Sequence, residues 1–245
     1  MKTISHSSRR QRAGFTLVEL LVVISIIGIL AAMSLAVIPR VMDAGRKTKA
    51  KIEMQQIVTA IQHYDSTYGR FPVSAGVQTA AGTGDFTYGG SLIASIVPPL
   101  STIYTTNNSE VIAILMNLTN YPDGSGATAN LNFQKNPQKT LFLNAKMSGD
   151  NTLPGVGTDL VYRDPWGIPY VITMDLNYDE QTVDAFYSLS VVSGGGLNGL
   201  VNPDGSANNF RYHGKVMVWS AGVNKKIDPG TKANDGVNKD NVLSW

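Results

Sequence analysis

The chain has 245 residues, 43% of them hydrophobic and 16% charged, which is enough apolar material for a core in one or two domains and excludes a disordered chain. With no cysteine, disulfide frameworks and thiolate metal sites are excluded too. The formal net charge is +2, yet Lys2, Arg9, Arg10 and Arg12 all fall in residues 1–14, and without these four the 18 acidic residues outnumber the basic ones, so bulk charge gives a nucleic-acid partner no support.

The first element is apolar. From Leu20 to Ile38 nineteen residues carry no charge, interrupted only by Ser25, Gly28 and Ser34. As a helix rising about 1.5 Å per residue this run reaches roughly 28 Å, close to the apolar thickness of a bilayer. A secretory signal peptide has a shorter apolar region followed by a small-residue cleavage site. Here Ala31-Ala32-Met33 lies inside the run, so composition favours an uncleaved single-span anchor. Orientation is open on charge alone, because Arg40, Arg46, Lys47, Lys49 and Lys51 balance the basic leader. Glu19 is the anomaly: an ionised carboxylate in an apolar segment costs several kcal/mol unless it finds a partner or snorkels to the interface.

Pro39, lacking an N–H, is expected to kink or break this helix. The helical pattern resumes in Met54, Ile57, Val58, Ile61, Tyr64 and Tyr68, spaced by threes and fours, with Gly69 as the C-cap. One long helix is therefore predicted, apolar over 15–38 and amphipathic over 39–69. Residues 71–130 are rich in Gly, Ser, Thr and Ala, with a helix predicted over Asn108–Asn120 behind a Ser109 cap. The wider segment 70–157 reads as a variable insertion on a globular head. The remainder, 158–245, holds three strand candidates: one after the turn Asp164-Pro165-Trp166-Gly167, then "DAFYSLSVV" (184–192) and "GKVMVWSAG" (214–222). A small antiparallel sheet packed on the long helix gives an α+β fold.

Catalysis is not expected. The only histidines are His6, His63 and His213, and neither G-x-S-x-G nor H-E-x-x-H occurs. "DLNYDE" (175–180) begins like an EF-hand loop but has Glu180 where glycine belongs and Phe186 at the twelfth position, so it reads as a hairpin turn. "GGGLNG" (194–199) fits a dinucleotide fingerprint in spacing alone, because no helix can follow it. Trp166, Tyr170, Phe186, Tyr187 and Trp219 are read as core.

The stretch "RQRAGFTLVELLVVISIIGILAAM" resembles the class III signal of type IV pilin-like proteins. The resemblance implies that a prepilin peptidase cuts after Gly14 on the cytoplasmic face and methylates the new amino group of Phe15. The apolar helix is then kept, and Glu19 of one subunit pairs with the terminal amine of its neighbour in a filament. The box "DPWG-x-PY" and the ending "WSAGVNKKID…NKDNVLSW" are similar to the head of the major pseudopilin of type II secretion systems. That likeness implies a single-pass protein of the bacterial inner membrane with a periplasmic head. Its implied partners are copies of itself, minor pseudopilins, the peptidase, an assembly platform and an ATPase, and its product is a fibre that drives protein export. A type IV pilus subunit and a non-polymerising anchored binding domain remain the alternatives. The same likeness implies a calcium ion in the C-terminal loop, where Asn224, Asp228, Asp235, Asp240 and Asn241 are the available donors. Asn224 stands where a first aspartate is expected, and ordinary turn formation is the competing reading.

Overall fold

The computed structural model describes residues 14–94 and 106–245. The leader over 1–13 and the part of the 70–157 segment at 95–105 lie outside the described residues. The chain forms two compact units, with the boundary between Ala44 and Gly45.

Helix α1 spans Leu17–Tyr68 and contributes to both units. In the first unit its large apolar side chains are exposed, from Leu17 at 84% to Met42 at 55%. This stretch makes α1 long and apolar enough to cross a membrane. Ser25 and Ser34 donate their hydroxyls to the carbonyls of Leu21 and Leu30, both at 2.8 Å, so neither leaves an unpaired polar group in the apolar run. Pro39 does not break the helix, which is assigned straight through it. Proline removes one ladder bond, and the helix continues through it on the remaining ones.

In the second unit, α1 buries Ala50, Met54, Ile57, Ala60, Ile61 and Tyr64, one face repeating every three or four residues. Gly69 then stops it at φ 62°, donating its N–H to the Asp65 carbonyl at 2.7 Å. Beyond it come α2 (Ala75–Ala81), β1 (Phe86–Tyr88), α3 (Gly90–Ala94) and α4 (Ser109–Leu115). They are followed by β2 (Gly155–Val156), β3 (Tyr162–Arg163), β4 (Val171–Met174), β5 (Gln181–Thr182), α5 (Ser190–Ser193), β6 (Tyr212–His213), β7 (Val216–Ser220) and β8 (Val242–Leu243).

The main sheet has the order β1-β4-β7-β8, antiparallel throughout, and β2-β3 and β5-β6 form two-stranded ribbons. Alternation sorts its side chains into two cores. Ile172, Met174, Val216 and Val218 join the helix residues in one cluster, whereas Val171, Met217 and Trp219 join Phe186, Tyr187, Val192 and Leu200 in another. The five aromatic residues read as core are all buried, Trp166 at 7% exposure and the other four at 1% or less. The architecture is the expected α+β layout of a long helix with a small antiparallel sheet.

Several local expectations are corrected. "DAFYSLSVV" is not a strand. The Asp184 carboxylate accepts the backbone N–H groups of Phe186 and Tyr187, both at 2.9 Å, and curls the chain into turns that lead to α5. This local bonding overrides the strand propensity of Phe186 and Tyr187. The predicted Asn108–Asn120 helix stops at Leu115, because Asn117 adopts φ 57° and closes a Schellman motif with Leu118 N–H on the Ala113 carbonyl at 2.9 Å. Ser109 is its first residue, not its cap; the Asn107 side chain accepts the Ser109 N–H at 3.1 Å. "DLNYDE" turns the chain, but between strands of different sheets, so it is no hairpin. The segment read as an insertion contributes edge strand β1 and the buried helix α4.

Asp184 is 1% exposed, and besides the two amides it accepts the Thr173 hydroxyl at 2.6 Å and the Trp219 indole N–H at 3.1 Å. Asp184→Ala orphans four donors at once. It should cost about 3 kcal/mol or more and lower the melting temperature of the detergent-solubilised chain by roughly 6 °C or more, read by circular dichroism. Asp85 gives a pH-dependent prediction. Its Oδ2 accepts the Val183 N–H at 2.6 Å, but Oδ1 is buried without a partner beside a cavity of 340 Å³ that Asp179 and Arg211 also line. Burial first, then the charges of Asp175 and Asp179, push its pKa up to about 7. The folded state thus holds a proton that the unfolded chain releases near pH 3.8, so stability falls as pH rises from about 4 to about 7. Asp85→Asn keeps an acceptor for Val183. The variant should exceed the parent in urea midpoint at about pH 8, with the difference vanishing near pH 4.

Candidate functional site

The sequence places processing at Gly14 and Phe15 and assembly at Glu19, and the structure shows the local frame of all three. Gly14, Phe15 and Thr16 are non-helical and exposed, with Phe15 at 82%, and among the described residues nothing lies within 4 Å of a Cβ built on Gly14. The Gly14–Phe15 peptide bond is thus presented in an open segment before the first helical residue. A peptidase can draw such a bond into its site without unwinding a helix.

Glu19 lies in the first turn of α1 and is held by a residue that the sequence reading passes over. Its Oε2 accepts both the backbone N–H and the hydroxyl of Thr16, each at 2.8 Å, and the Glu19 N–H donates to Thr16 Oγ1 at 3.2 Å. This is a reciprocal capping box, with Thr16 as N-cap and Glu19 as third residue, and it satisfies donors that a helix start leaves bare. The spacing T-x-x-E ahead of an apolar run is the sequence signal for it. The carboxylate also sits at the positive end of the helix dipole. Within a single chain, then, Glu19 has local partners in the Thr16 N–H and hydroxyl.

The C-terminal loop is the second place the sequence singles out. Among the described residues, no three His, Cys, Asp or Glu side chains come close enough to hold a metal ion. Of the expected calcium donors, Asn224 and Asp240 are hydrogen-bonded to each other, through the amide: Asn224 Nδ2 donates to Asp240 Oδ2 at 3.0 Å and to the Val237 carbonyl at 2.6 Å. Asp228 Oδ1 accepts the Gly230 N–H at 2.9 Å and its Oδ2 the Thr231 hydroxyl at 2.7 Å. Asp235 Oδ1 accepts the Gly236 N–H at 2.7 Å, and Asn241 donates to the Tyr187 hydroxyl at 2.9 Å. Calcium requires six to eight oxygens converging on one point. As placed, these side chains bond neighbouring amides, carbonyls and hydroxyls instead of converging as such a shell.

His63 packs edge-on against Phe142 with ring centroids 5.0 Å apart. The "GGGLNG" segment closes α5 and bends through positive φ at Gly195, Gly196 and Gly199.

Comparison with known proteins bears on the N-terminal part. A family model described as the prokaryotic N-terminal methylation motif matches residues 9–35. Over 59 residues the chain is 46% identical to type II secretion system core protein G of Pseudomonas aeruginosa, which is 23% of this chain and 39% of that protein. No solved structure matches the chain. One apolar helix together with this motif fits a single-pass inner-membrane protein. The N-terminal part of the chain carries the prokaryotic N-terminal methylation motif and is similar to type II secretion system core protein G.

Proposed function

We propose that this chain is a structural subunit of a pilin-like filament, and specifically of the pseudopilus of a type II secretion system. The observation that carries this reading is the Thr16–Glu19 box set between an open Gly14–Phe15 junction and an apolar helix with exposed side chains. The methylation motif and the 46% identity to core protein G support it. On this account a prepilin peptidase cuts after Gly14 and methylates Phe15. The span holds the subunit in the inner membrane, and the head lies in the periplasm. Removing the leader creates an ammonium group at Phe15. As helices are drawn together, Glu19 exchanges its Thr16 bonds for the ammonium of a neighbouring copy. A carboxylate and an ammonium that meet in an apolar surrounding attract strongly only in one register, which makes the pair an axial ruler. Minor pseudopilins, an assembly platform and an ATPase complete the machinery.

A second reading is a type IV pilus subunit: the match covers 23% of this chain and 39% of core protein G, and the methylation motif over 9–35 is described only as prokaryotic. Gene deletion separates the readings: lost protein secretion with intact twitching supports the pseudopilus, and the reverse supports the pilus.

Glu19→Val should leave the protein in the membrane fraction while sheared filament falls at least tenfold, the effect of about 1.4 kcal/mol or more in the assembly equilibrium. Thr16→Val removes the cap but leaves the carboxylate. It should cost about 1 kcal/mol at the helix start, read as faster hydrogen exchange at the first-turn amides, and still permit filaments. Normal filament yield from Glu19→Val would reject the role given to Glu19.

A further inference from the structure

We propose that the C-terminal loop, 221–241, is closed by two side-chain amides, Asn224 and Asn238, which replace a bound cation. The inference stands apart from the filament reading and concerns how the head holds its last strand.

Asn224 faces two acceptors on one side, the Val237 carbonyl at 2.6 Å and Asp240 Oδ2 at 3.0 Å. Two oxygens so placed call for positive charge between them, supplied by an N–H donor or by a cation. The other side of the same amide decides which. Asn224 Oδ1 accepts the Lys226 N–H at 2.9 Å, and turning the amide over would set its NH₂ against that donor. The oxygen is therefore committed away from Asp240, and the NH₂ occupies the place where a cation would sit.

Asn238 does the same work at the other end of the loop. It is 1% exposed, and its Nδ2 donates to the carbonyls of Asp228 and Thr231, both at 2.8 Å, while its Oδ1 accepts the Asp228 N–H at 2.9 Å. One buried amide thus ties together backbone groups that a metal would otherwise gather. Just outside the two asparagines, at the loop's two ends, the chain comes very close to itself. Gly222, at φ 69°, passes so near the Asp240 carbonyl that any Cβ there would lie 2.1 Å from it.

Closure has a structural consequence. The loop joins β7 to β8, and β8 pairs Leu243 with Trp219 and Val242 with Ser220. Ser244 then links β7 and α1 as an acceptor: its hydroxyl accepts the Val218 N–H at 3.0 Å, and its carbonyl accepts the Gln55 side-chain amide. With amides as the fastener, the last strand stays docked whatever the calcium level of the compartment.

The test uses the full chain in detergent, with melting temperature and protease cleavage within 221–241 followed in millimolar calcium, in magnesium and in chelator. The wild-type protein is expected to melt and be cut identically in all three. Asn224→Asp sets a second carboxylate against Asp240 and is expected to melt lower in chelator and recover with calcium but not with magnesium. Asn238→Ala is expected to be cut faster in every condition, with no rescue by calcium. A rise of about 4 °C or more in the wild-type melting temperature on adding calcium would overturn the proposal. So would an Asn224→Asp variant indifferent to calcium, or an Asn238→Ala loop as resistant as the wild type.

Discussion

Helix α1 has to satisfy two surroundings with one backbone, and the rest of the chain follows from how its side chains are divided. From Leu20 to Ile38 the helix carries no charge on any side, which suits lipid or the interior of a bundle. After Ala44, apolar side chains withdraw to the single face of Ala50, Met54, Ile57, Ile61 and Tyr64. Polar residues beside that face anchor the head: Glu53 accepts the Tyr170 hydroxyl at 2.6 Å, and Asp65 pairs with Lys215 at 3.0 Å. The sheet packs against this face on one side only, so its far side needs a second layer. Phe186, Tyr187, Val192 and Leu200 supply that second layer.

The head holds irregular loops without disulfides, and buried carboxylates take over the task. Asp164, Asp175 and Asp184 are each 1% exposed or less, and each accepts two backbone N–H groups of the turn that follows it. A buried carboxylate is costly alone and strongly favourable when several donors converge on it. Asp164 also accepts the Ser220 hydroxyl, tying its turn to β7. Burial still pushes the Asp164 pKa upward, since its hydrogen bonds only partly offset the loss of water. In that turn Gly167 adopts φ 85° and passes so close to the Thr152 carbonyl that a Cβ would fall 2.5 Å away, which accounts for the glycine in "DPWG".

Strong periodicity and strong punctuation were legible in the residues. The amphipathic half of α1, its Gly69 stop, the Asp164 turn and strands β4 and β7 all carry such signals. Strands β1 and β8 do not: three and two residues long, they exist because β4 and β7 offer them edges. "DAFYSLSVV" misleads because its aromatic residues suit a strand, while the deciding event is a side-chain bond from Asp184 that composition does not register. At the N-terminus, Glu19 stands out as a charge in an apolar run, and Thr16 becomes meaningful only when the two are read as one spacing. Asn238 had no signal at all, since one asparagine among turn residues looks like any other until its backbone partners are seen.

On the reading proposed above, Glu19 exchanges its Thr16 partners in the filament for an amine that processing creates at Phe15. The measurement that tests it most directly is the intact mass and N-terminal fragment mass of the protein purified from membranes of its native host. The account predicts a chain that begins at N-methylated Phe15. A chain still beginning at Met1, in cells with an active prepilin peptidase, would contradict it.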